Sequence, residues 1–489
     1  MTRRILPVVL ATLLLSACGS LLTPQYERPN APVPESWPTR GAYENAAKEG
    51  QTAAIDTGWH DFILDERLRK LVKIALDNNR DLRISALNME KARAAYGISR
   101  ADMFPAVSAA GAATHAKGAR DVVGDSSNRI SHQYNATLGF SNYELDFFGK
   151  IQNQAEASRE AWLQLIETRD AAQITLISQV ISGYLTLAAD QERLKIAKDT
   201  FASLQNTLRI TIKRHEARVD SLIDVSGAQA DLEAARADIA TYTTTVAQDE
   251  NALSLLLGTP LPDDLAPPLG MFDAPILQEV PTGLNSDVLL RRPDLRADEH
   301  ALKAANADIG AARAAFFPSI TLTANTGSAS AHLGNLFNAG NGIWTFAPQI
   351  NLPIFTAGKL QSSLEQAEIH RDIQVATYEK DIQTAFREIA DALAQRGTVD
   401  QALRAQQAQT DAYGKSYRLA ELRYKNGIDS YLSILVYQRS FYSSQLSLVS
   451  TQLLRQTNLV TLYMVLGGGV REQPLAINPM RQPTLVENQ

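Results

Sequence analysis

The sequence predicts an α+β fold written twice in one chain, and three observations carry that expectation. Phrases recur at a near-constant spacing of 209 to 213 residues, each copy holds short stretches of period-two alternation, and each continues into very long segments free of proline. Recurrence at a fixed interval marks a tandem structural repeat and takes precedence over local readings. "SRADMFPAVS" (99–108) returns as "ARAAFFPSIT" (312–321) at offset 213, and "NYELDFFGK", ending at Lys150, returns as "QINLPIFTAGK", ending at Lys359, at offset 209. Asp220-Ser221 returns as Asp429-Ser430, and "LLLG" ending at Gly258 as "MVLG" ending at Gly467.

The elements follow in chain order. "MTRRILPVVLATLLLSACGS" sets two arginines before an apolar run over residues 5–17 and a single cysteine, Cys18. The run is too short to span a bilayer but suits the apolar core of a secretory signal. Residues 1–17 are therefore expected to be a lipoprotein signal peptide, with Cys18 lipidated as the new N-terminus and Gly19 favouring the outer membrane. A plain signal peptide with an incidental cysteine is the alternative. Residues 18–80 form the anchored N-terminal segment and an equatorial part, extended where prolines crowd at 24, 29, 32, 34 and 38. Repeat 1 spans 81–258 and repeat 2 spans 291–467, separated by a proline-rich linker or equatorial piece (259–290) and followed by a tail (468–489).

Each repeat reads as helix, hairpin, long helix, turn and return helix. The first helix (81–104, and again 294–316) stops at Phe-Pro, because the residue before proline is pushed out of the helical region. Tyr134, Ala136, Leu138 and Phe140 then alternate with polar or small residues; so do Ile320, Leu322 and Ala324, and Trp344, Phe346, Ile350 and Leu352. "AVSAAGAAT" (106–114) is the weakest strand, and "VVGDSSN" and "GNLFNAGNG" read as hairpin loops. Residues 151–216 carry no proline and one glycine, so a helix of roughly 100 Å is expected, with a return helix over 222–257. The "HEARVDSLIDV" and "YKNGIDSYLSIL" stretches become hairpin tips.

Strands with one apolar face suit lipid on one side and water on the other. One chain offers only four of them, and an open sheet in lipid leaves edge groups unsatisfied at several kcal/mol each. Closure therefore demands several chains; three give twelve strands, a barrel with room for water, from which the helices leave as a periplasmic tube. A soluble coiled-coil scaffold or adhesin is the non-channel alternative, which leaves the anchor and the apolar-faced hairpins unrelated.

Composition excludes other classes. A net charge of −6, falling to −8 without Arg3 and Arg4, argues against nucleic acid. The seven histidines are scattered without an HExxH pair, no P-loop or GxSxG occurs, and the sole thiol is committed to lipid, so no enzyme, metal site or cofactor is expected. "GGG" (467–469) reads as a helix stop, and "DEH" (298–300) as a solvated helix start.

"RRPDLRADEHALKAANADIGAARAAFFPSITLT", "RYKNGIDSYLSIL" and the terminal "LGGG" resemble the TolC-like outer-membrane efflux lipoproteins, the NodT-type outer-membrane factors of tripartite pumps, over essentially the whole mature chain. The resemblance implies a homotrimeric channel-tunnel in outer-membrane lipid. Its partners would be a periplasmic adaptor (membrane fusion) protein and an inner-membrane pump of RND type. Protein secretion or metal-ion export through the same kind of duct remain alternatives. An open tube would leak, so the tips are expected to close. Arg423, Tyr424, Asp429, Leu432 and Arg439 in repeat 2, and Arg214, Arg218, Asp220 and Asp224 in repeat 1, are the candidate gate residues. By similarity Asp224 and Tyr424 bond neighbouring helices, Leu432 gives an apolar ring and Arg439 a basic one. Val436 departs from the aspartate common in related channels, and Asp429 would move the acidic ring toward the tip.

Overall fold

The computed structural model describes residues 22–44, 46, 54–119, 130–280 and 286–469. Cys18, the leader, the first hairpin loop (122–128) and the tail from residue 470 lie outside the described residues. In chain order the elements are α1 (Glu66–Asn78), α2 (Arg80–Ala101), β1 (Ser108–Lys117), β2 (Ile130–Leu145), α3 (Lys150–Glu216) and α4 (Leu222–Leu257). Then come α5 (Pro293–Ala314), β3 (Ser319–Ser330), β4 (Gly342–Asn351), α6 (Lys359–Lys425) and α7 (Tyr431–Val465). The chain divides into two compact units. One holds the strands (Asn88–Ile166 and Ala297–Glu379, with the chain up to Asn30), and the other is helical (Ala31–Leu87, Glu167–Arg296 and Lys380 onward).

In the strand unit, four antiparallel strands follow one another in the order β1-β2-β3-β4. The register sorts the faces. Trp344, Phe346 and Ile350 pair with Thr326, Ala324 and Ile320, while Thr345, Ala347 and Gln349 pair with Asn325, Thr323 and Thr321 on the other face. In β2 the apolar row Tyr134, Ala136, Leu138, Phe140 would pass to the wrong face beyond Ser141. A bulge between Phe140 and Tyr143, with Asn142 at φ 55°, inserts the extra residue that returns Tyr143 and Leu145 to the apolar row. A Cβ at Gly139 or Gly327 would strike the carbonyl oxygen of Ala324 or Ala136, so these two sites require glycine for close strand approach.

Helices α2 and α5 end two to three residues earlier than proline alone would place them. Ahead of Pro105 the backbone tightens, Met103 donating to Arg100 and Phe104 to Ala101. The first described residues, from Leu22, are strapped to α5: Arg313 and Asn306 donate to the carbonyls of Leu22 (3.3 Å) and Pro24 (3.1 Å), and Arg28 pairs with Glu299 at 2.7 Å.

In the helical unit the apolar stretch of α3 from Ile174 to Ala189 is buried, which makes it a core helix. The proline-rich segment after α4 is pinned at its far end. Leu277 bridges Ile63, and Glu279 with Asp400 closes a ring of charge with Arg396 and Arg455 at 2.8–2.9 Å. The terminal glycines stop α7: Gly467 (φ 77°) donates to Met464 and Gly468 to Tyr463, whose ring stacks on Phe62 at 4.0 Å.

Candidate functional site at the helix tips

Both hairpin tips are built by one device. At the end of α3, Arg218 donates to His215 and Val219 to Arg214; at the end of α6, Gly427 donates to Tyr424 and Ile428 to Arg423. These are paired Schellman bonds, which need a left-handed residue just past the helix. Gly427 supplies it at φ 73°, Arg218 at φ 60°. The last-turn arginine then clasps the aspartate across the turn: Arg214 Nε lies 3.0 Å from Asp220 Oδ2, and Arg423 Nε lies 2.7 Å from Asp429 Oδ2. These two pairs are the same pair 209 residues apart.

Their surroundings differ. Arg423 and Asp429 are open to water, and the arginine holds the Asp429 carboxyl below its usual value. In repeat 1, Tyr424 crosses from the other hairpin. Its hydroxyl donates to Asp220 Oδ2 at 2.6 Å and meets Thr211 Oγ1 at 2.9 Å, while the Arg214 guanidinium lies 4.6 Å over its ring. Burial, helped by Asp220, pushes the Tyr424 phenol up to about 12. Beneath it, Leu204, Leu208, Ala228, Leu232, Tyr431 and Ile434 form an apolar core joining all four helices.

A second tie lies further from the tip. Arg439 Nε lies 3.1 Å from Asp231 Oδ1, and Tyr431 donates to Asp231 Oδ2 at 3.2 Å; Tyr442 donates to Asp238 at 2.8 Å. Gln438, in the same row, is buried with neither amide atom partnered among the described residues, and lines a cavity of about 130 Å³ beside Asp231, Asp238 and Arg439.

The structure thus brings Asp220 and Tyr424 together, keeps Arg423 with Asp429, and gives Arg439 a partner, Asp231, that sequence reading did not single out. Asp231 and Asp238 stand seven residues apart on the same stripe as Ala228, Leu232 and Ala235. Carboxylates at core-facing helical spacing signal partners elsewhere. Asp224 does not meet Tyr424 within the chain. Its carboxylate accepts from the Ser221 backbone N–H at 2.9 Å while its own N–H donates to Ser221 Oγ at 3.2 Å, a capping box that starts α4. Leu432 and Val436 are exposed, as are Val219, Ile223 and Ile428 around the turns.

Hairpins with a lipid-facing side and two strand edges left for other chains, together with long helical hairpins tied at their tips, define a subunit of an outer-membrane channel. The family model described as outer membrane efflux protein matches residues 71–259 and again 284–468, once per repeat. Two efflux outer membrane proteins of Pseudomonas putida, of an antibiotic efflux pump (ArpC) and a toluene efflux pump (TtgC), are each 46% identical over 473 residues, 97% of this chain and of theirs. The crystal structure of the open state of the Neisseria gonorrhoeae MtrE outer membrane channel superposes with a TM-score of 0.82 at 38% identity, covering 92% of this chain and 98% of that one. The chain belongs to the outer membrane efflux protein family. Its α+β fold is the trimeric channel-tunnel, four strands per chain closing a twelve-stranded barrel, and its work is that of the outer-membrane exit duct of a tripartite efflux system. It is a conduit and not an enzyme, and it serves with a periplasmic adaptor and an inner-membrane pump.

Proposed function

We propose that the duct carries small toxic organic compounds, solvents and antibiotics among them, received from an RND-type pump through its adaptor, and that the helix tips are its gate. The cargo class rests on the pumps named for the two 46% identical relatives. The gate rests on one observation. Within the chain the two hairpins are held to each other by Asp220–Tyr424 and Asp231–Arg439, polar contacts that a splaying motion breaks and water then re-satisfies. Arg423–Asp429 and the Asp224 cap keep each turn in shape, and Leu432 stands exposed beside them as an apolar contact for a neighbouring chain or the adaptor. Energy comes from the pump; adaptor contact selects the splayed state.

Lipidation of Cys18 completes the reading. Three residues, four Cα steps reaching about 14 Å at most, separate it from Leu22, which is held where α5 ends ahead of β3. Deleting the gene and restoring it on a plasmid tests the cargo. Restored tolerance to toluene, dyes and antibiotics is the expected result; a phenotype confined to copper would overturn it.

A further inference from the structure

At the outer end of the β1–β2 hairpin, His115 and His132 stand directly opposite each other in the antiparallel ladder. Their Nδ1 atoms are 2.5 Å apart, their rings meet edge to face at 4.7 Å, and the ring of Tyr134 packs on His115 at 5.5 Å. Both side chains are exposed. They continue the row of Tyr134, Ala136, Leu138 and Phe140, so they lie on the apolar-row face of the sheet at the loop end of the hairpin. Neither makes an ion pair among the described residues, and no group of three or more His, Cys, Asp or Glu occurs there that could hold a metal.

Exposed imidazoles gain little by facing each other, because water satisfies them equally well. Between neutral rings one Nδ1–H donates to the other's lone pair, a single exposed bond; a metal ion held by both lone pairs uses the same juxtaposition with two stronger bonds. We propose that His115 and His132 form a surface site for a borderline divalent transition metal, Cu²⁺ above Ni²⁺ and Zn²⁺, one per chain, with water in the remaining positions. Imidazole pairs select these ions over Mg²⁺ and Ca²⁺, which take oxygen ligands, and copper stands highest in the series. Bonds of about 2.0 Å require the two nitrogens to part to roughly 3 Å, a small side-chain rotation at an exposed position. Lys117, next on the same face, opposes the bound charge.

The test uses the tag-free, detergent-solubilised full-length trimer, titrated with CuSO₄ by calorimetry and by electron paramagnetic resonance. The expected result is one Cu²⁺ per chain with nitrogen coordination, unaffected by excess Mg²⁺. His115→Gln and His132→Gln each weaken binding more than tenfold, while Lys117→Gln strengthens it. Trimer size on gel filtration checks that the variants assemble. Absence of binding at pH 7.5 overturns the proposal, as does binding that persists unchanged in the double His115→Gln/His132→Gln variant. A hydrogen bond between two neutral imidazoles, with no metal, is the reading that the first of these outcomes would leave.

Discussion

Tyr424→Phe isolates the tie between the two hairpins with little other disturbance. The ring stays in its apolar core, and only the hydroxyl is lost. Asp220 keeps Arg214 at 3.0 Å, and Thr211 still donates to the carbonyl of Thr207 at 3.0 Å, so no buried group is stranded. The cost is therefore the net worth of one buried bond to a carboxylate, about 1.5–2 kcal/mol. At about 1.4 kcal/mol per factor of ten, the splayed state gains roughly tenfold or more per chain, and the three chains of a trimer multiply if they move together. Planar-bilayer recording of reconstituted trimers should show a higher open probability or conductance for Tyr424→Phe, and the same for Asp231→Ala. Arg423→Ala provides the contrast: its bond to Asp429 stays within one hairpin and is open to water, so conductance should hardly change. Recordings of Tyr424→Phe that match the parent protein, from trimers of normal assembly, would refute the gate as drawn here.

Three further outcomes follow from the same contacts. Burial and the neighbouring Asp190 push the Asp249 carboxyl up to about 6. A raised carboxyl value means the folded state holds the proton more tightly, so the stability it confers is present at low pH and lost as pH rises through about 6. Melting followed by circular dichroism at pH 5 and pH 8 should show this loss, and Asp249→Asn should flatten it. Repeat 2 already carries Asn458 at the corresponding position, bonded to the Ala392 carbonyl at 2.9 Å. Arg218→Gly relieves a left-handed arginine at φ 60° and should slow hydrogen exchange of the first tip by a factor matching about 0.5–1 kcal/mol. Asp224→Ala should speed exchange at the start of α4 by about 1 kcal/mol, with conductance unchanged, since it removes a cap and no tie.

The long helices were legible because nothing interrupts them: α4 falls at 222–257 as read, and α3 begins one residue before the expected 151 and ends at 216. Strand β2 was legible only to Ser141, where the bulge at Asn142 reverses the parity that period-two reading depends on. Strand β1 reads poorly because alanine, glycine and serine fill both of its faces, so the sequence has no apolar row to follow. At the tips, Asp220-Ser221 and Asp429-Ser430 were visible as one phrase used twice, while the arginines that clasp those aspartates, Arg214 and Arg423, were singled out but not paired with them. The Asp231–Arg439 tie was not visible. Its partners lie 208 residues apart, and only the packing of α4 on α7 brings them together.

Tandem repeats are often read as duplicated function, yet the tips use their duplication unequally. The residue after the clasping arginine is His215 in repeat 1 and Tyr424 in repeat 2. His215 turns back to the Asp220 carbonyl of its own turn at 2.9 Å, whereas Tyr424 reaches across to the Asp220 side chain of the other hairpin. One arginine–aspartate pair is thereby partly buried at a seam inside the chain, and its twin, Arg423–Asp429, is left facing water with Ile428 and Leu432 exposed beside it. In a ring of three chains every hairpin has one neighbour from its own chain and one from another. The seam inside the chain is held by partly buried, charge-assisted bonds, whereas the groups the chain offers a neighbour at its second tip are exposed ones that separate at small cost. An opening motion should therefore begin between chains and reach the Tyr424 seam afterwards.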